Sequence, residues 1–312
     1  MLRYLFNRLL FLIPTLYVVV SLVFFLVHLI PGDPVDAILG ERALATDRAR
    51  LVHELHLDRP IWVQHSFFID GLLHGDLGRS LYDQTPVTQL IKEKFGATFK
   101  LAIVAMMVSL CISIPLGLIS AIRKDHLLDH SAMLLALLGI SIPNFYLGPL
   151  LILFFSIRLG WLPVSGDVGW FSIILPALTL GTALAAIVSR MTRTSLLEVL
   201  KADYVRTAKA KGVKPIWVIL KHAFRSALIP VVTVVGLQFG VLLAGTVVTE
   251  KVFNWPGLGS LLIQGIERRD YPVVQGCVLT IAFTFILVNL GTDLLYAYLD
   301  PRVKLGRPAE ES

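Results

Sequence analysis

Apolar residues in this chain neither alternate with polar ones at a strand's period nor mark one face of a soluble helix; they gather in long runs with few charges inside them. A helix needs ~20 such residues to cross a hydrocarbon core of ~30 Å. Six runs reach that length, at residues 9–30, 98–122, 132–158, 172–192, 229–250 and 275–299. They predict an all-α integral membrane protein with six transmembrane helices. The third run is longer than a straight crossing requires and carries Gly139, Ser141, Pro143, Asn144, Gly148 and Pro149, so a kink or interruption is expected there. Broken backbone at membrane depth persists only inside protein or beside a watery cavity.

Between the runs the period changes. Residues 31–96 open with Pro31-Gly32-Asp33-Pro34, which ends the first span. Leu51, Leu55 and Leu57, then Ile61, Trp62, Phe68, Ile69, Leu72 and Leu73, predict two short amphipathic helices joined at Asp58-Arg59-Pro60. This cap is too small for a large core of its own, and it is either a docking surface for an external partner or a lid. Residues 193–228 hold no spanning run. Leu196, Leu197, Val199, Leu200, Tyr204, Val205 and Ala208 predict one helix, stopped at Gly212 with Pro215 soon after. Ile216, Trp217, Ile219, Leu220 and Phe224 predict a second, running towards Pro230. Two helices around a glycine turn make a knob that another protein can grip; a basic amphipathic pair lying on anionic lipid is the other reading.

Composition narrows the class. Apolar residues make up 55% of the 312 and charged ones 16%, with a mean hydropathy of +0.74, which excludes an ordinary soluble domain. A net charge of +6 would raise the question of nucleic acid in a soluble protein, but here the basic residues lie between spans and topology accounts for them. Arg190, Arg193, Lys201, Arg206, Lys209, Lys211, Lys214, Lys221 and Arg225 cluster around the fourth connection, and Arg302, Lys304 and Arg307 in the tail. Both termini are therefore expected in the cytoplasm. The segment 31–96, with seven Lys/Arg against ten Asp/Glu, is not forced inside. Arg3 and Arg8 precede the first run, whose length and lack of a small-x-small site predict a retained anchor. Trp161, Trp170 and Trp255 lie next to spans on the outer side, as interfacial anchors or simply as aromatics where loops meet helices. The expected organisation is a first helix within 1–30, an extracytoplasmic cap at 31–96, a five-helix core at 97–300 containing the loop 193–228, and a cytoplasmic tail at 301–312.

Few residues carry chemistry at membrane depth. Cys111 and Cys277 lack neighbours at metal-ligand spacing and are expected in the core, with no metal site. Asp293 is the carboxylate placed within an apolar run, and Arg190 is its candidate ion-pair partner, in a structural or gating role rather than on cargo. Asn144 and Gln238 are candidates for lining a path or for bonding helices together. Gly236, Gly240 and Ala244 form a small-residue stripe that lets a neighbouring backbone approach, with that neighbour left open. An ion-coupled secondary transporter would need more intramembrane ionisable groups, and an intramembrane hydrolase would need an H-E-x-x-H or G-x-S-x-G motif. The chain has neither motif.

Asp203-Tyr204-Val205-Arg206-Thr207-Ala208-Lys209-Ala210-Lys211-Gly212 resembles the EAA cytoplasmic loop of binding-protein-dependent ABC importer permeases, in the form of the dipeptide, oligopeptide and nickel branch. Arg206-Thr207-Ala208 occupies the triplet and Gly212 the glycine. The chain departs from the general Ile-x-Leu-Pro at His222-Ala223-Phe224-Arg225 and Ala227-Leu228-Ile229-Pro230, which is similar to the peptide branch. Ile30-Pro31-Gly32-Asp33-Pro34, Leu57-Asp58-Arg59-Pro60, Gly75-Asp76-Leu77-Gly78, Trp255-Pro256-Gly257-Leu258-Gly259 and Arg269-Asp270-Tyr271-Pro272-Val273-Val274-Gln275 extend the resemblance almost end to end. It implies a type I ABC importer permease fold in a bacterial inner membrane, a pore shared with a second homologous permease subunit, two cytoplasmic ATPase subunits and an extracytoplasmic substrate-binding protein. Asp203, Tyr204, Arg206, Thr207, Ala208 and Gly212 are then the coupling residues. The chain has no G-x-x-x-x-G-K-[ST] loop, so no cofactor is expected in it, and ATP and Mg would be bound by the partners. Dipeptides or short oligopeptides are the leading expected cargo, with glutathione, nickel chelates and haem as alternatives.

Overall fold

The computed structural model describes residues 2–28, 35, 45–54 and 57–299. The Pro31–Pro34 turn and the tail 301–312 lie outside them. Helix α1 is Leu2–His28, α2 Ala45–Glu54, α3 Ile61–Leu73, α4 Val87–Ile122 and α5 Leu127–Ser141. Helix α6, Asn144–Arg158, ends in a π-helical stretch from Ile152, and α7 is Ile174–Val199. Helices α8 (Asp203–Ala210), α9 (Pro215–Val252), α10 (Leu258–Arg268) and α11 (Tyr271–Leu299) complete the series. Among the described residues, α4, α7, α9 and α11 are long and apolar enough to cross a membrane, and α5 and α6 meet the same test only as a pair, bent by 101° between them. The break falls at Ile142-Pro143, within the predicted kink. The apolar part of α1, Leu12–Phe25, is shorter than these, so length and composition do not by themselves reach six.

The chain forms two compact units. The first comprises Met1–Phe99 and Asn254–Thr284. The two short cap helices appear on either side of Asp58-Arg59-Pro60, and His53 Nδ1 lies 3.0 Å from Asp58 Oδ2, a contact that holds the Asp58 carboxyl below its ordinary value. Helix α3 packs on α1: Phe68, Ile69 and Leu72 meet Val20 and Val23, and the buried His65 stacks on Phe25 with its Nε2 3.0 Å from Ser21 Oγ.

Three of the unassigned sequence motifs converge in this unit. Ser80 Oγ donates to Asp270 Oδ2 at 2.5 Å and Leu81 N–H to Oδ1 at 3.2 Å. Gly78 takes a left-handed φ of +79° beside the Pro272 ring, and its N–H donates to Asp76 Oδ1. Trp255 is not an interfacial anchor but fully buried, its Nε1–H donating to the Ala97 carbonyl at 3.0 Å, while Leu258 N–H donates to Thr98 Oγ1 at 2.8 Å. Burial is affordable for an indole only because that donor is satisfied. Helix α10, not anticipated from the sequence, buries Leu258 and Leu261 against Val87, Ile91, Val273 and Cys277. Cys277 is thus in the core as expected, whereas Cys111 is exposed on α4.

The second unit, Lys100–Phe253 and Phe285–Ser312, is built around α7, the most buried of the spanning helices. Glycines let α4 and α7 touch backbone to backbone: a β-carbon at Gly181 would lie 2.7 Å from the Ala105 carbonyl oxygen, and one at Gly117 would lie 2.7 Å from that of Ser189. One expectation fails here. The helix predicted through Leu196–Ala208 breaks at Leu200–Ala202, where Ala202 turns extended (φ −66°, ψ 146°) and redirects α8 so that Val205 and Ala208 reach the core. The second amphipathic helix, predicted to run towards Pro230, continues through it as the first turns of α9.

Candidate functional site

Helix α8 has two unlike faces. Val205 and Ala208, one turn apart, are buried against Ala121 at the end of α4, Leu196 of α7, and Val218, Ala223 and Ala227 of α9. Asp203, Tyr204, Arg206, Thr207, Lys209 and Lys211 are exposed. Of the six sequence-chosen residues, Asp203, Tyr204, Arg206 and Thr207 therefore form an open surface, Ala208 is its anchor, and Gly212 closes its far end. Asp203 sits in the first turn, where a carboxylate complements the helix dipole, and its carbonyl accepts from Thr207 Oγ1 at 3.0 Å. The exposed Arg206–Asp203 contact, at 3.5 Å, contributes little to stability. Gly212 has φ +77°, its N–H donating to the Lys209 carbonyl and that of Val213 to Ala208; a β-carbon there meets no atom within 4 Å, so the site requires glycine for its backbone and not for space.

Val218–Ala223, against which α8 rests, is π-helical, a geometry that occurs mostly as single turns at functional positions. Close by in sequence, Arg193 of α7 donates from Nε and Nη2 to Oδ1 and Oδ2 of Asp129 in the first turn of α5, at 2.8 and 2.7 Å. Asp129 is buried; Ser120 Oγ of α4 and the Asp125 N–H also donate to it. Sequence reasoning missed this pair because Asp129 stands outside the apolar runs; its place three residues after a helix N-cap was the available signal. Arg190 is exposed and Asp293 half-buried, while Arg193, three residues further along α7, meets Asp129.

Gly236 packs on Thr292, and Gly240 on Phe285 and Asn289, so two members of the stripe meet α11 of the same chain while Ala244 is exposed. Asn144 opens α6 immediately after the bend and Gln238 lies on α9; both are half-buried. A cavity of about 410 Å³ lies among α7, α9 and α11, with Ser226, Thr233 and Tyr296 contributing polar groups to an otherwise apolar lining. Among the described residues no cluster of His, Cys, Asp and Glu is suited to a metal.

Residues 113–305 match the family described as binding-protein-dependent transport system inner membrane component, and residues 1–102 match its N-terminal companion. The glutathione transport system permease protein GsiC of Pectobacterium atrosepticum is 49% identical over 97% of this chain and 99% of the relative. GsiC of Escherichia coli K12 is 47% identical over the same shares. Among solved structures, an inward-facing MetNI methionine ABC transporter shares the fold with a TM-score of 0.56 and 17% identity, over 68% of this chain and 97% of the other. The α8 knob, the long apolar helices and these matches lead to one assignment: the chain belongs to the binding-protein-dependent transport system inner membrane components, the permease subunits of ABC importers.

Proposed function

We propose that this permease conducts glutathione or closely similar short peptides, taking cargo from an extracytoplasmic binding protein and forming its pore with a second homologous subunit. Relatives at 47–49% identity over nearly the whole chain carry glutathione in their names, which favours that cargo over the dipeptides first expected from the motifs. In this reading both termini face the cytoplasm, α8 docks on one of two ATPase subunits, and those subunits hold ATP and Mg. The observation that carries it is the double-faced α8. Its exposed side is free for a partner, while Val205 and Ala208 clamp it to the ends of α4, α7 and α9, so displacement of α8 by ATPase closure is passed to those helices. Asn144, Gln238 and the hydroxyl-bearing cavity supply candidate polar contacts along the path.

The test is ATP hydrolysis by the purified complex in nanodiscs with its binding protein. Glutathione-loaded binding protein is expected to stimulate hydrolysis several-fold over dipeptide-loaded or empty protein; equal rates in all three would refute the cargo. Gly212 tests the coupling. A valine forced to φ +77° costs about 1–2 kcal/mol, a factor of roughly 5–30 in the population of the correct turn, whereas asparagine tolerates that conformation. Gly212→Val is expected to lower cargo transported per ATP at unchanged membrane insertion, with Gly212→Asn near wild type. Parallel loss of insertion in the valine variant would count against the assignment.

A further inference from the structure

Helix α9 is longer than a membrane requires. Its 38 residues span ~57 Å at 1.5 Å per residue, against ~30 Å of hydrocarbon. Between Arg225 and Glu250 lie 24 residues without a charge, or ~36 Å of helix, which places Arg225 at one membrane boundary. Trp217 stands eight residues before Arg225, ~12 Å further along the axis, while the headgroup layer on each side is only ~5–7 Å deep. With α9 upright and Arg225 at that boundary, Trp217 stands beyond the headgroups. Yet Trp217 is 55% exposed, Ile216 51% and Leu220 43%, an apolar cluster that water alone would have to cover.

The surroundings point to a protein cover. Val218 and Ala223, on the same π-helical turn, are the residues on which Val205 and Ala208 of α8 are seated, so the Trp217 cluster borders the helix already assigned to ATPase docking. From Tyr204 to Thr249 the chain has six Lys/Arg and no Asp/Glu, with Lys214 and Lys221 flanking the cluster. Resting on the reading that α8 grips the ATPase, we propose that Trp217, with Ile216 and Leu220, is a second anchor on that subunit, set in an apolar pocket with an acidic rim. An indole set in an apolar pocket and ringed by contacts that exclude water is the chemistry of a binding hot spot.

Titrating purified ATPase subunit onto the permease pair in nanodiscs separates this proposal from the reading beneath it. Trp217→Ala is expected to weaken ATPase binding about 30-fold and Trp217→Phe no more than about fivefold, with monodispersity unchanged because Trp217 is exposed rather than part of the core. Trp217→Ala binding within twofold of wild type, while Tyr204→Ala weakens it, overturns the second anchor and leaves the α8 reading standing. If neither variant weakens binding, both fall. Unchanged ATPase affinity with loss of co-purifying anionic lipid from Trp217→Ala would assign the face to the bilayer and likewise overturn the proposal.

Discussion

Arg193→Leu is expected to destabilise the subunit by about 3–5 kcal/mol, because it strands the Asp129 carboxylate in a site that is 2% exposed. Ser120 and the Asp125 N–H would still donate to that carboxylate, but neither neutralises it. Asp129→Leu costs less, since Arg193 keeps a partly solvated side chain that can turn towards water. The double variant, with leucine at both positions, is expected to recover most of the loss, as an apolar pair of similar volume often replaces a buried ion pair at little cost. Thermal midpoints of the four proteins in detergent complete the cycle, and the single Arg193 variant should fall by roughly 5–10 °C. Additive single effects, with no recovery in the double, would mean that the two side chains act independently. The pair joins the start of α5 to α7 ten residues before α8, so Arg193→Leu should also lower transport at temperatures where the protein survives.

What could be read in advance was whatever local chemistry punctuates. Gly212 followed by Pro215 announced the end of α8, Pro143 announced the break between α5 and α6, and Asp58-Arg59-Pro60 separated the cap helices. Nothing comparable marks Leu200–Ala202; leucine, lysine and alanine all favour a helix, and the turn arises because Val205 and Ala208 are buried against α9. Pro230 does not interrupt α9, since a proline inside a membrane helix loses a single backbone bond and neighbouring helices hold the rest in place. The candidate site divided along the same line. The resemblance named Asp203, Tyr204, Arg206, Thr207 and Ala208 together, and the fold separates them: Tyr204, counted with the apolar residues, is exposed, and Ala208 turns inward beside Val205. The motifs at Gly75–Gly78, Trp255–Gly259 and Arg269–Gln275 could be recognised but not explained, because their partners lie 158 to 194 residues away in the chain.

Backbone packing between α4 and α7 leads to the other large effect. Gly181→Leu is expected to reduce correctly assembled subunit to below about one tenth of wild type. Apolar side chains gain little by leaving lipid for one another, so α4 and α7 hold together through close backbone approach. At Gly181 the nearest obstacle to a β-carbon is the Ala105 carbonyl oxygen at 2.7 Å, followed by Val108 Cγ1 at 2.9 Å. Because the first of these is backbone, Val108→Ala should not rescue the leucine variant, and Gly181→Ala should already be impaired. Gly96→Leu on the same α4 is the control, since a β-carbon there meets no atom within 4 Å. Fluorescence-detected size exclusion reads the assembled fraction directly: equal yields for Gly181→Leu and Gly96→Leu would show that the two helices tolerate separation. The contact at Gly117 repeats this approach further along both helices, against Ser189 and Thr192, so α4 and α7 run side by side as a parallel pair towards α8. A force applied at α8 then meets two helices that cannot slide independently, which is what a lever requires.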